Sequence, residues 1–211
     1  MAKAPLSADL ERRLSRLTDL GERAVCVVLY ATLVVRVAAI ARHSPWNLVI
    51  LAPQGLVVLF MILRRRPLAM TTRPWDWFVA MAALTLPMLV APGGVSLIPP
   101  LLGVAMVFSG LALSVWATVS LGRSFGLAAA NRGVVKSGPY RVLRHPIYAG
   151  YLLSDLGFLL MNPIARNLVL YALALFLSLA RIRAEEALLA ADPAYAALRA
   201  KVRDRLGPWF Y

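Results

Sequence analysis

From Trp77 to Gly122 the chain carries no charged residue, and an uncharged run of that extent leaves few folds open. A helix rises about 1.5 Å per residue and a bilayer core is about 30 Å thick, so roughly 20 residues make one crossing and this run is too long for one. The stretch Ala91-Pro92-Gly93-Gly94, with Pro99 and Pro100, divides it, which predicts helices over 75–91 and 97–120. Four further apolar segments follow from the same reading, at 24–41, 44–63, 146–161 and 167–182. The last two are short and meet at Asn162, Pro163, Ala165 and Arg166, so they are expected to form a hairpin. With 60% hydrophobic and 16% charged residues, the expected fold class is all-α, a polytopic integral membrane helical bundle of about six segments.

Residues 1–23 are polar, with Leu6, Leu10, Leu14 and Leu17 at helical spacing and Arg12, Arg13 and Arg16 off that stripe. They predict an amphipathic helix on the membrane surface, N-capped by Ser7. The chain is thus expected to divide into an interfacial helix (1–23), membrane helices (24–120) and a chemistry-bearing region (121–211). Lys and Arg alternate between the apolar segments: five before the first, then one, four, none, five and one, and six in the tail. Since cytoplasmic loops are enriched in these residues, both termini and the loop before residue 146 are expected to face the cytoplasm, in the inner membrane. The net charge of +13 gathers beside apolar runs, where anionic lipid rather than nucleic acid is the expected partner. A single cysteine, Cys26, excludes an intrachain disulfide, and two histidines give no metal-ligand set. Arg36 and Asp155 fall inside apolar segments and are expected to pair, or Asp155 to line a cavity.

The region from Val134 to Pro163 carries the chemistry. Ser137-Gly138-Pro139-Tyr140 is turn sequence, and in Arg144-His145-Pro146 the proline suits a first helical position, leaving His145 at the cap with its imidazole near unpaired backbone N–H groups. Tyr140 and Tyr148 offer aromatic faces, and Gly150 would admit a ligand close to the backbone. The same residue types also suit a plain basic loop meeting the bilayer, with Arg144 reaching back to the interface. A second constellation, Arg181, Arg183, Glu185 and Glu186, emerges after the last apolar run. Arg181 and Glu185 stand at i, i+4, the spacing of a simple surface ion pair and equally of two groups facing one site. Beyond them, Asp192 and Pro193 predict the start of another helix, with Ala194, Leu198, Val202 and Leu206 on one face.

Taken together, S-G-x-Y at 137–140, R-H-P-x-Y-x-G at 144–150, Asn162-Pro163 and R-x-x-x-E-E at 181–186 resemble the isoprenylcysteine carboxyl methyltransferase family of integral membrane enzymes. The likeness covers roughly residues 120–203, the earlier helices matching only in general hydrophobicity. What it implies is S-adenosylmethionine bound on the cytoplasmic side without a Rossmann domain, and the chain has no G-x-G-x-x-G after a strand. Carried over, it puts Lys136, Ser137, Gly138, Tyr140, His145, Pro146, Tyr148 and Gly150 around the cofactor, with Glu185 or Glu186 completing the pocket. Arg181 and Glu185 correspond to the family's catalytic pair. The tail departs from the family pattern at Asp192-Pro193, Leu198 and Arg203.

The resemblance favours carboxyl O-methylation of a lipidic or prenyl-like acceptor that reaches the site from the bilayer. An ionised carboxylate acceptor needs a cation such as Arg181 and no base, whereas an ammonium would need deprotonation by Glu185 or His145. A phospholipid or amine N-methyltransferase, and an NADPH-dependent membrane reductase of the sterol type, are the alternative readings.

Overall fold

The computed structural model describes residues 8–41, 51–71, 73–126 and 128–207 and is mostly helical. Two compact units make up the chain, one built from residues 1–72 and 122–133, the other from 73–121 and 134–211.

In the first unit, helix α1 runs unbroken over Ala8–Ala41 and α2 over Leu51–Leu63. The sequence reading separates a surface helix from a span at residue 23, yet no proline interrupts residues 8–41, and Gly21, the one glycine there, stands in open space. At about 1.5 Å per residue α1 is about 50 Å long. Ser7, and the side chains of Leu6, Leu10, Leu14, Arg12 and Arg36, lie outside the described ones, and the expected cap, leucine stripe and Arg36–Asp155 pair lie there with them. Strands β1 (Ala69–Met70) and β2 (Ala130–Asn131) form a two-residue antiparallel ladder, a small exception to the all-α expectation.

This unit is held together by charge. Asp19 and Glu22, one helical turn apart on α1, face Arg64 just past α2 and Arg132 just past β2. Arg64 Nη2 lies 2.7 Å from Asp19 Oδ1 and 2.8 Å from Glu22 Oε2, while Arg132 Nη2 lies 3.3 and 3.4 Å from the same two oxygens. Glu22 also accepts from the Ala128 backbone N–H at 2.9 Å. All four side chains are buried, and burial, followed by the neighbouring Arg64 cation, pulls the Arg132 guanidinium below its usual range against the opposing pull of Glu22 and Asp19. Charges so placed are stabilising only as a complete set, because removing one partner strands another in a poor solvent for ions.

The second unit contains α3 (Pro74–Thr85), α4 (Pro100–Leu121), α5 (Pro146–Met161), α6 (Ala165–Leu189) and α7 (Pro193–Lys201). Each predicted apolar segment lies mostly on a helix where it is described, although residues 86–89 tighten into a 3-10 turn and residues 90–91 and 97–99, around the prolines and glycines, are not helical. Among the described residues, two helices are long and apolar enough to cross a membrane: α4 with the turn that follows it, 25 residues, and α6, also 25. Leu101, Phe108, Leu168 and Phe176 on these two helices are exposed, as lipid-facing side chains are. Helix α5 is shorter, at 16 residues.

Helices α4 and α5 approach through glycine. A Cβ on Gly110 would collide with Ser154 and the Gly150 carbonyl, and one on Gly157 would lie 2.8 Å from Met106 Cβ and 3.0 Å from the Gly103 carbonyl oxygen. Such small-residue contacts let helix backbones pack where apolar surface alone gives no preference for protein over lipid. At the far end of α5 and α6, Asn167 is wholly buried; its Nδ2 donates to the Ala91 carbonyl at 2.8 Å and its Oδ1 accepts from the Ala91 N–H at 3.1 Å. Asn162 accepts from the Gly93 N–H at 3.1 Å. The two asparagines thereby satisfy the irregular backbone that Pro92, Gly93 and Gly94 create.

Glu22→Gln removes one charge from the buried set of the first unit and is expected to cost about 3–5 kcal/mol. Denaturant unfolding in detergent checks this, and a loss below about 1 kcal/mol would mean that the cluster is solvated.

Candidate active site

The site is built where α5 begins and the apolar part of α6 ends. Pro146 takes the first position of α5 and His145 the N-cap, as the sequence predicts. The imidazole, however, makes no cap hydrogen bond. It turns instead towards α6, its Nε2 3.2 Å from Glu186 Oε1 and its Nδ1 3.7 Å from Glu185 Oε2. Two adjacent carboxylates outcompete backbone N–H groups that α5 can leave to the end of the helix.

Three residues further on, the Tyr148 hydroxyl donates to Glu185 Oε1. The Arg181 guanidinium lies over the Tyr148 ring, 5.2 Å from its centroid, and His145 meets the same ring edge-on at 5.9 Å. Arg181 and Glu185 are therefore neighbours on one face of α6 that both address a single tyrosine, one at its π-face and one at its hydroxyl. Tyr140 is buried, and that burial, reinforced by the negative field of Glu185, pushes its phenol well above the usual range and keeps the hydroxyl protonated.

Glu186 points elsewhere. Its Oε1 lies 2.5 Å from Arg144 Nη1, and its Oε2 accepts from Arg205 Nη2 at 2.7 Å and from Arg205 Nε at 3.0 Å. The tail is tied to the same place: Arg144 N–H donates to the Asp204 carbonyl and His145 N–H to the Arg205 carbonyl, each at 3.0 Å. Asp192 caps α7 through the Ala194 N–H at 2.8 Å, as predicted, although the helix stops at Lys201 and Leu206 leaves its stripe to pack with Tyr148, Ala149 and Ile182. Tyr195, Leu198 and Val202 form a second small core with Val134 and Leu189. The Tyr195 hydroxyl is buried beside Glu186 and Arg144, and burial, followed by the negative charge of Glu186, pushes it up to about 12.

The structure thus brings together Arg181, Glu185, Glu186, His145 and Tyr148, with Tyr140 in the field of Glu185. Lys136 and Ser137 are exposed on the segment leading in, and no hydrogen bond or ion pair of their side chains joins them to this cluster among the described residues. Gly138 adopts φ +58°, which glycine tolerates, and a Cβ there would press on Ser120 and lie 3.4 Å from Trp116 Nε1. Gly150 has a different neighbour from the one expected: α4 fills the space assigned to a ligand, and a Cβ would lie 2.5 Å from the Gly110 carbonyl oxygen and 2.8 Å from the Ser114 nitrogen. Sequence reasoning gave Arg144 only an interfacial role and did not single out Arg205. Their signal was arithmetic, since only ten acidic residues stand among 23 basic ones, and an acid at the edge of an apolar bundle must draw cations from somewhere.

A tyrosine, a histidine, two carboxylates and a guanidinium gathered where α5 begins and the apolar part of α6 ends make a cluster of the kind that functional sites carry. Residues 101–191, from the start of α4 to just past α6, match the family described as Isoprenylcysteine carboxyl methyltransferase (ICMT) family, which bears out the resemblance over that segment: the protein is a membrane methyltransferase. The match reaches further back than the likeness read from the sequence, taking in α4, whose glycines receive α5, and it ends before α7. A comparison with curated proteins finds none that matches the chain.

Tyr148→Phe keeps the ring beneath Arg181 but removes the hydroxyl held by Glu185, and is expected to cost about 1–3 kcal/mol in thermal unfolding. Gly150→Val has no space to enter and is expected to cost about 3 kcal/mol; an unchanged midpoint would mean that α4 and α5 do not touch at this glycine.

Proposed function

We propose that the protein transfers the methyl group of S-adenosylmethionine to a carboxylate on a lipidic or prenyl-like acceptor that reaches the site from the bilayer. The observation that carries this reading is the convergence of Arg181, Glu185 and His145 on Tyr148 within the family-matched segment.

The donor set fits the cofactor. Glu185, which keeps about a quarter of its side-chain surface exposed, is an acceptor for ammonium or hydroxyl groups, and the buried Tyr140 adds an aromatic ring of the kind a sulfonium cation favours. Lys136, Ser137, Gly138, Tyr140, His145, Pro146, Tyr148 and Glu185 are the residues assigned to its pocket. Glu186 supports that pocket from behind through His145, and Gly150 contributes by seating α5 on α4. When bound, the cofactor supplies a methyl group on a positively charged sulfur, open to in-line displacement. Arg181 holds the acceptor carboxylate, in bidentate fashion where its orientation allows, and Glu185, fixed by the Tyr148 hydroxyl, orients the groups opposite it. No proton has to move for an ionised carboxylate to attack, so the side chains act by position and charge.

Six membrane segments, with both termini and the site on the cytoplasmic face of the inner membrane, complete the reading; the alternation of Lys and Arg between apolar segments supports it.

Calorimetry on purified protein should detect S-adenosylmethionine and not NADPH, and labelled donor should yield a base-labile ester in lipid extracts. Arg181→Ala and Glu185→Ala are each expected to lower turnover by about 10²–10³-fold while the protein stays folded. Unchanged turnover in either would overturn the role assigned to it.

A further inference from the structure

The two adjacent glutamates do different things, and the tail decides which does what. Glu186 receives cations on both oxygens: Arg144 on Oε1, and Arg205 on Oε2 through two nitrogens. Arg205 Nε also lies 3.1 Å from Oε1, so its planar fork spans the carboxylate. The segment that delivers Arg205 is itself stapled down, by the Arg144 and His145 backbone N–H groups and by Arg144 Nη2 on the Arg203 carbonyl at 3.1 Å. Next in sequence, Leu206 packs against Tyr148. The ring of His145 rests on the same Glu186 oxygen that Arg144 holds. Arg205 lies beyond the family-matched residues 101–191.

We infer that Arg205 is a positioning residue of the reaction: by bridging both oxygens of Glu186 it fixes the carboxylate on which the His145 ring rests, and so leaves Glu185 as the acid that faces the reacting groups. Without the fork, Glu186 Oε2 loses both of its arginine donors. The carboxylate is then free to turn about Arg144, and the acceptor under His145 Nε2 turns with it. The inference rests on the methyl-transfer reading for its consequence in turnover, but not for its geometry.

Arg205→Gln and Arg205→Lys test it, with Lys201→Ala, exposed at the end of α7, as the control. Two measurements are made on protein in micelles: kcat and KM with S-adenosylmethionine and a prenylated carboxylate, and the ring ¹⁵N signals of His145. The chain has two histidines, His43 and His145, so the assignment needs one further variant, His43→Gln. Arg205→Gln is expected to lower kcat about tenfold or more, with KM for S-adenosylmethionine moved by less than about threefold, and to shift the His145 signals. Arg205→Lys, which keeps the charge but not the fork, should fall between Gln and wild type on both readouts. A wild-type kcat with unmoved His145 signals in Arg205→Gln overturns the inference. Should that variant not fold, the same result in Arg205→Lys overturns it. A wild-type protein that binds no S-adenosylmethionine, yet whose His145 signals move on substitution of Arg205, sinks the methyltransferase assignment and leaves the positioning contact standing.

Discussion

The carboxylate of Glu186 is the point on which the active-site end of the second unit depends. It joins three stretches that sequence order keeps apart: the Arg144-His145 turn, the C-terminal end of α6 and the tail at Arg205. Burying a carboxylate is costly, and ion pairing repays that cost only when geometry is good and the remaining lone pairs are met. Here Arg144, His145 and Arg205 meet them. Adjacent residues on a helix point about 100° apart, so once Glu186 is turned to these cations Glu185 must face another way. That way is towards Tyr148.

Placement of Tyr148 follows from α4 and α5. In hydrocarbon an apolar helix surface has no reason to prefer protein to lipid, so close backbone contact has to supply the preference. Gly103, Gly110, Gly150 and Gly157 supply it, Gly150 sitting two residues past Tyr148 and locking the first turn of α5 against α4. The aromatic ring is then held from below by the helix pair, from above by Arg181 and at its hydroxyl by Glu185. A side chain fixed on three sides gives its neighbours fixed positions too, which is what a reaction that works by orientation asks of its surroundings.

How far the sequence revealed this varied with the kind of signal. Apolar runs bounded by Pro and Gly read directly as helices, because the bilayer imposes length and composition together. Pro146 and Asp192 announced the starts of α5 and α7 through local backbone chemistry. The cluster of Asp19, Glu22, Arg64 and Arg132 gave no such notice: Arg132 meets Glu22 across 110 positions, and nothing in periodicity pairs charges so far apart. Arg64 and Arg132 instead read as topology signals, which is what most loop arginines are. Gly150 misled for a related reason, since a glycine that admits a ligand and a glycine that admits another helix look alike in one dimension. Around the site itself, residue types were legible but their division of labour was not, because the separation of Glu185 from Glu186 is set by Arg205, at the other end of the tail.

Charge at the site bears on the choice of acceptor. In the first unit the buried Arg64 and Arg132 meet Asp19 and Glu22, and Arg23 adds a third guanidinium 3.0 Å from Asp19. At the site Arg144 and Arg205 meet Glu186, while Arg181 lies over the ring of Tyr148, whose hydroxyl donates to Glu185. A sulfonium donor would bring its own positive charge beside Arg181. An ammonium acceptor would then enter a field of its own sign, at a cost that rises as water leaves the site. An acceptor carboxylate would instead carry the opposite charge, lying where Arg181 is already held in place by the ring of Tyr148. On the methyl-transfer reading, the charge of the donor itself therefore favours a carboxylate over an amine as the group to be methylated.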